Sequence, residues 1–258
     1  MVARGTRLVS RAMVVGFIGS GNMAAAVARG WAGAFDGFLF SDGGSGRAKA
    51  LAEELGGEVA SNEEIARRAD LVVLAVKPGM LGSVASELGA AKQVVSVLAV
   101  VSLAKLEAAF PDAEHVLRVM PNVGVEVRQG VLCVAGSASE EMRAKLELLG
   151  HVVEIPDADF EEATAIMGCA PAYLALAVEA LAEAGAEAGL DPELARELVV
   201  ETTAGTAELL RRHHPADVRK AVTSPGGSTE AGLEALDREG AWLAFKAAVD
   251  ASLERMRR

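Results

Sequence analysis

The chain has 258 residues, 51% hydrophobic and only 4% aromatic, with a formal net charge of −11. That length supports a large core and allows two domains, and the composition describes an Ala-, Val- and Leu-rich α/β protein. The negative balance argues against nucleic acid and against a membrane surface, because phosphate binding needs a basic face.

No apolar run reaches the ~18 residues that span a bilayer. The opening MVARGTRLVSRA has three Arg but no long apolar segment before a small-residue cleavage site, so residues 1–12 read as a frayed extension. Cys133 and Cys169 stand alone, without CxxC or Cys/His zinc spacing. His213 and His214 are adjacent, and adjacent helical residues face different directions. No metal is therefore expected, and a reducing cytoplasm fits best.

Met13–Ile18 reads as a first strand, and it runs straight into GFIGSGNMAAAVARG. In Gly19-x-Gly21-x-x-Ala24, Gly19 permits the tight turn and Gly21 lets the backbone approach a pyrophosphate. Ala24 allows close helix–strand packing. A helix over 22–32 would then present its N-terminus to the anion. The next strand, Gly37–Phe40, leads into SDGGSGR. Asp42 lies where a carboxylate would take the ribose hydroxyls of NAD, while Ser41, Ser45 and Arg47 could hold the 2′-phosphate of NADP. The preference stays open.

Helices are expected near 46–55, 62–69, 79–89, 102–110 and 139–149. Strands are expected at Leu71–Val76, Val94–Leu98, His115–Met120, Val131–Ala135 and His151–Ile155. LVVLAV is apolar without alternation, as in a parallel strand covered on both faces. Asn62 and Ser139 read as N-caps followed by acids. Lys77, at the end of a strand, would face the ligand crevice of an open α/β sheet.

After about residue 158 no strand pattern remains. Helices are expected over AYLALAVEALAEAGAEAG, then 191–212, 215–223, 229–237 and 240–256, with Asp191-Pro192 as a cap. Glu179, Glu183 and Glu187 form one acidic stripe; the rest of that helix is small and apolar enough to bury against a second subunit. Tyr173 and Cys169 read as packing residues.

Five segments in order, GFIGSGNMA, AVKP, RVMPN, GCAPAY and VTSPGGSTEAGLEAL, resemble the motifs of the pyrroline-5-carboxylate reductases. The resemblance runs from Met13 to the C-terminus, and the SPGGxT segment is its most specific part. It implies an N-terminal Rossmann-type, doubly wound, mostly parallel sheet (residues 1–157). An all-α dimerisation and substrate-binding domain would follow (158–258). It also implies reduction of Δ1-pyrroline-5-carboxylate to L-proline by NADPH or NADH, the last step of proline biosynthesis, in a homodimer or larger homo-oligomer.

By this resemblance Gly19, Ser20, Gly21, Asn22 and Met23 would wrap the pyrophosphate. Ser41 and Asn62 would lie near the adenosine ribose, where Arg47 is a candidate from the reading of its loop alone. Ala75, Val76, Lys77 and Pro78 would flank the nicotinamide ribose, and Val97, Leu98 and Ala99 the nicotinamide. Ser224, Gly227, Ser228 and Thr229 would hold the substrate carboxylate, with Thr229 and Ser224 as catalytic residues. The chain departs from the family pattern in three places. It has Gly168-Cys169-Ala170-Pro171-Ala172-Tyr173 for Gly-Ser-Gly-Pro-Ala-Tyr, Leu98-Ala99-Val100-Val101 for Ala-Ala-Gly-Val, and Val123-Gly124 for Thr-Pro.

The SPGGST segment also reads physically. Pro225 fixes a turn angle, Gly226 and Gly227 clear the approach, and the N–H groups opening the next helix make an anion seat. Two alternatives compete. A β-hydroxyacid dehydrogenase would need a Lys on the first long helix of the second domain, and 172–195 contains none. A non-catalytic NAD(P)-binding regulator would predict a damaged SPGGST loop, which is intact.

Overall fold

A computed structural model of the chain describes residues 12–258; the expected N-terminal extension, except its last position, lies outside them. Eight strands form one sheet among the described residues: β1 (Val14–Ile18), β2 (Gly37–Ser41), β3 (Glu58–Val59), β4 (Leu71–Leu74), β5 (Gln93–Ser96), β6 (His115–Pro121), β7 (Gly130–Gly136) and β8 (Gly150–Glu154). Their order is β3-β2-β1-β4-β5-β6-β7-β8. The chain winds outward from β1 to β3, then returns to the other side of β1. This reversal puts a switch point between β1 and β4, where open α/β sheets bind ligands beyond the strands' carboxyl ends.

Neighbouring strands are parallel except β6 and β7. The reason is length. Only a short 3-10 turn, Val123–Val127, joins β6 to β7, and a parallel crossover needs a dozen residues or more.

The helices α1 (Asn22–Gly30), α2 (Arg47–Leu55), α3 (Asn62–Arg68), α4 (Leu81–Glu87), α5 (Leu103–Ala109) and α6 (Glu140–Glu147) cover both faces. In β4, Leu71 and Val73 join the core under α1, α2 and α6, whereas Val72 and Leu74 join the opposite core under α3, α4 and α5. A strand buried on both sides needs no polar alternation, which is why LVVLAV reads as one apolar run. Gly16 of β1 completes the fit: a Cβ there would stand 2.2 Å from Ile65 Cγ2 of α3.

Three features differ from the sequence expectation. The two-residue β3 was too short to show a pattern. The cap of α3 is Ser61, whose hydroxyl accepts from Glu64 N–H, and not Asn62, which is already helical. Residues between β8 and the long helices form a 3-10 turn (Asp157–Asp159), the short α7 (Phe160–Ala163) and a π-turn (Thr164–Gly168).

Contacts divide the chain after Gly168. The following unit holds α8 (Ala170–Glu187), α9 (Pro192–Leu210), α10 (Pro215–Ala221), α11 (Ser228–Arg238) and α12 (Ala241–Met256). Asp191 caps α9 as expected, its carboxylate accepting from Glu193 and Leu194 N–H. The Tyr173 hydroxyl meets Ser252 Oγ at 2.6 Å and so ties α8 to α12.

Ala195 is the one residue of this unit that is buried among those described. Leu176 is 64% exposed, Trp242 71% and Leu243 72%. The stretch Asp157–Glu187 contains an 18-residue window of mean hydropathy 1.7, long and apolar enough to cross a membrane by length and composition, although no such run was expected. Only 6% of that window is buried within the chain. A face so apolar needs a cover.

Candidate functional site

At the carboxyl ends of β1, β2 and β4 lies a cleft of about 360 Å³. Gly19, Ser20, Gly21, Ser41, Arg47, Asn62, Ala75, Val76 and Lys77 line it, together with Asp42, Gly43, Ser45 and Met80. The two glycines of the β1–α1 turn have different reasons. Gly19 has φ +95°, and a Cβ on it would come within 2.6 Å of the Ala75 carbonyl oxygen, so the protein itself demands glycine. Around Gly21 nothing lies within 4 Å of where a Cβ would stand. No protein contact requires a glycine there, but a ligand backbone close to the turn would. That is the fit expected for a dinucleotide pyrophosphate. Asn22 and Met23 open α1, whose cap Gly21 makes no side-chain hydrogen bond. Ala24 is fully buried against the sheet.

Behind the turn the polar groups are fixed before any ligand arrives. Gly19 N–H and Ser20 Oγ both donate to the Ser41 carbonyl, at 3.1 and 3.0 Å. Ser41 Oγ donates to Asn62 Oδ1 at 2.6 Å, and Asn62 Nδ2 to Glu87 at 2.8 Å. Asn62 therefore faces the cleft because Ser61 has taken over the capping of α3. In the β2–α2 loop the Asp42 carboxylate turns inward and accepts from its own loop. These hydrogen bonds, led by that from Ala48 N–H, hold its acid below the usual range.

Val97, Leu98 and Ala99 follow β5, next to the end of β4, with Val97 N–H donating to the Leu74 carbonyl at 3.0 Å. Leu98 is 1% exposed, its side chain belongs to the core, and its N–H donates to Ser96 Oγ at 3.3 Å. The next residue, Val100, has φ +52°. A β-branched residue in that region is strained. None of Asn22, Met23, Pro78, Val97, Leu98 and Ala99 lines the cleft itself.

One cluster was quoted in the sequence without a role. Arg118 of β6 is 2% exposed and lies 4.1 Å over the Phe160 ring. It donates to Asp157 Oδ1 at 2.8 Å, while its Nε finds no partner. Both Asp157 oxygens also accept from Leu103 N–H at 3.1 Å. Asn122, in the same motif, donates to the Met167 carbonyl at 3.2 Å and accepts from Gly124 and Val131 N–H. A buried cation and an amide thus anchor the segment from Asp157 to Met167 onto β6. Only RVMPN signalled this, and the spacing did not reveal the partners.

The SPGGST turn belongs to the second unit and is described by itself. It joins α10 to α11. Gly226 has φ +71°, and its N–H donates to Glu230 Oε2 at 2.7 Å. A Cβ on Gly227 would meet Ser224 Oγ at 2.6 Å, so the Ser224 hydroxyl lies directly against the turn. Gly227 caps α11 without any side-chain hydrogen bond, which leaves the N–H groups of Ser228 and Thr229 without a side-chain acceptor from the cap. Ser224 and Thr229 are exposed.

Comparison with known proteins agrees with these two halves. Residues 14–100 match the family model for coenzyme F420-dependent NADP oxidoreductases, and 157–258 match the model for pyrroline-5-carboxylate reductase dimerisation. A pyrroline-5-carboxylate reductase of Synechocystis sp. is 37% identical over 75% of this chain and 76% of its own. Pyrroline-5-carboxylate reductase 3 of Macaca fascicularis is 34% identical over 94% of both. Among solved structures, the Streptococcus pyogenes 1-pyrroline-5-carboxylate reductase superposes with a TM-score of 0.84, at 33% identity, covering 96% of this chain and 99% of that one. The Plasmodium falciparum pyrroline carboxylate reductase, solved with NADP bound, gives 0.81 at 29% identity, over 95% and 97%. The glycine turn at a sheet switch point, the SPGGST turn opening a helix and these likenesses lead to one assignment: the chain belongs to the pyrroline-5-carboxylate reductase family.

Proposed function

We propose that the SPGGST turn seats the carboxylate of Δ1-pyrroline-5-carboxylate and that the Thr229 hydroxyl attends its ring nitrogen. The reaction is that of the family: the imine is reduced to L-proline with NAD(P)H. When bound, the cofactor supplies the hydride. The chain must hold the substrate acid, orient the imine carbon and favour the protonated iminium, which accepts hydride readily. Backbone N–H groups at a helix N-terminus, aligned with its dipole, suit a carboxylate. Each charge-assisted bond contributes ~1.5–3 kcal/mol. Ser224, Gly227 and Ser228 would make these bonds, and Thr229 would donate to, or relay a proton toward, the nitrogen.

The observation that carries this reading is the open cap of α11 beside two glycines and the Ser224 hydroxyl. For the cofactor, Gly19, Ser20, Gly21, Asn22 and Met23 would receive the pyrophosphate, with Ser41, Arg47 and Asn62 at the adenosine ribose. Ala75, Val76, Lys77 and Pro78, with the backbone of Val97, Leu98 and Ala99, would flank the nicotinamide end. We divide the chain into a dinucleotide-binding domain, 1–157, and a dimerisation and substrate-binding domain, 158–258. The assembly is a homodimer or a higher homo-oligomer, supported by the apolar helices and the match to the family's dimerisation model. Two unpaired cysteines support a cytoplasmic setting.

The test is cofactor oxidation with Δ1-pyrroline-5-carboxylate by the wild type and Thr229→Ala. Thr229→Ala should lower kcat by about 10²-fold, the usual scale of acid–base assistance, with the melting temperature unchanged. Equal loss of rate and stability would reduce Thr229 to a structural residue. Tight cofactor binding with no turnover would favour a regulator.

A further inference from the structure

The β2–α2 loop is where a Rossmann-type site tells one nicotinamide cofactor from the other, because the adenosine ribose ends in either a 2′-hydroxyl or a 2′-phosphate. A phosphate is bound through donors: backbone N–H groups, hydroxyls and guanidinium groups. The loop is rich in such donors. Gly44 N–H, Ser45 Oγ and Ala48 N–H, the last near the start of α2, all point to one place. That place is filled. Asp42 Oδ1 accepts from Gly44 N–H at 2.8 Å, and Oδ2 accepts from Ser45 Oγ at 2.8 Å and Ala48 N–H at 2.9 Å. Asp42 borders the cofactor cleft alongside Ser41, Gly43, Ser45 and Arg47.

We propose that Asp42 acts as a built-in anion that occupies the seat of the 2′-phosphate, so that this chain selects NADH over NADPH. The inference rests on the assignment of the cleft to the dinucleotide and goes beyond it. A ribose 2′-hydroxyl can donate to a lone pair that Asp42 keeps free. A 2′-phosphate cannot donate. It would meet a carboxylate in place of donors, and like charges at contact are strongly unfavourable. The hydrogen bonds that keep the Asp42 acid ionised reinforce this exclusion.

Arg47 pulls the other way. Its side chain is exposed, and an exposed ion pair contributes little. Its N–H donates to Ser45 Oγ at 3.4 Å, and that hydroxyl in turn donates to Asp42. The loop conformation depends on Gly44 and Gly46, at φ +88° and +80°, so the inward turn of Asp42 is built into the backbone.

Titration calorimetry on the whole chain tests this without turnover, using NADH against NADPH and 5′-AMP against 2′,5′-ADP. The wild type should bind the member without the 2′-phosphate at least about tenfold more tightly, a difference of ~1.4 kcal/mol. Asp42→Ser should erase or reverse that ratio by freeing Gly44 and Ala48 N–H, and Asp42→Asn should narrow it. Circular dichroism checks that the variants fold. Equal or tighter wild-type binding of NADPH and 2′,5′-ADP would overturn the proposal without help from any variant. A wild-type preference for NADH that survives in Asp42→Ser would overturn the role of Asp42. Failure to bind any of the four ligands would overturn the cofactor cleft itself, which separates the two readings.

Discussion

Single residues decide how closely a ligand can approach, and the two turn glycines make opposite predictions. Gly21→Val should fold normally, because nothing lies within 4 Å of its Cβ, yet lose cofactor binding by more than about 10²-fold in calorimetry. Unchanged affinity in that variant would remove the dinucleotide from this turn. Gly19→Ala should instead destabilise, since its Cβ would collide with the Ala75 carbonyl at a positive φ. Val100→Gly should raise the melting temperature, because releasing a β-branched residue from φ +52° recovers ~1 kcal/mol. The Gly19-x-Gly21 pair was legible in the sequence because glycine spacing carries its own geometry. The inward turn of Asp42 was not. It depends on left-handed Gly44 and Gly46, which composition alone does not fix.

At the level of elements, patterns with a period were readable and short irregular pieces were not. β4 declared itself by an unbroken apolar run. Ser139 did so by the acids that follow it; its hydroxyl accepts from Met142 N–H. Asn62 misled because Ser61 beside it is an equally good cap, and the choice was made by Asn62's bonds to Ser41 and Glu87. The Asp157–Gly168 segment shows no period because its order comes from β6. Arg118→Ala should therefore cost ~2 kcal/mol or more in denaturant unfolding, leaving Asp157 and Glu161 without their cation.

The loop that starts α2 adds a pH dependence. The Asp42 acid lies below its unfolded value, so its contribution is present above about pH 4 and lost as pH falls through the folded value. Wild type should lose more stability than Asp42→Asn on acidification through that window. Equal losses would mean the loop hydrogen bonds do not depend on the charge.

For the molecule as a whole, the first unit owns two large packed cores and a smaller one around Phe160, whereas the second has helices and almost no interior. Hydrophobic burial is the main driving force of folding, so α8 to α12 complete theirs only when another surface covers Leu176, Trp242 and Leu243. Light scattering at micromolar concentration should find a dimer or larger species, and the melting temperature should rise with protein concentration. Leu176→Glu should shift the protein to monomer and lower its melting temperature; a stable monomeric variant would contradict this dependence. The excess of apolar helix surface was readable from the small, uncharged residues of α8, and the partner that covers it had to come from the family. An interior shared between chains also means that defects are shared. A copy damaged in α8 would leave part of a healthy copy's apolar surface uncovered, so a mixture of the two should melt below the healthy chain alone.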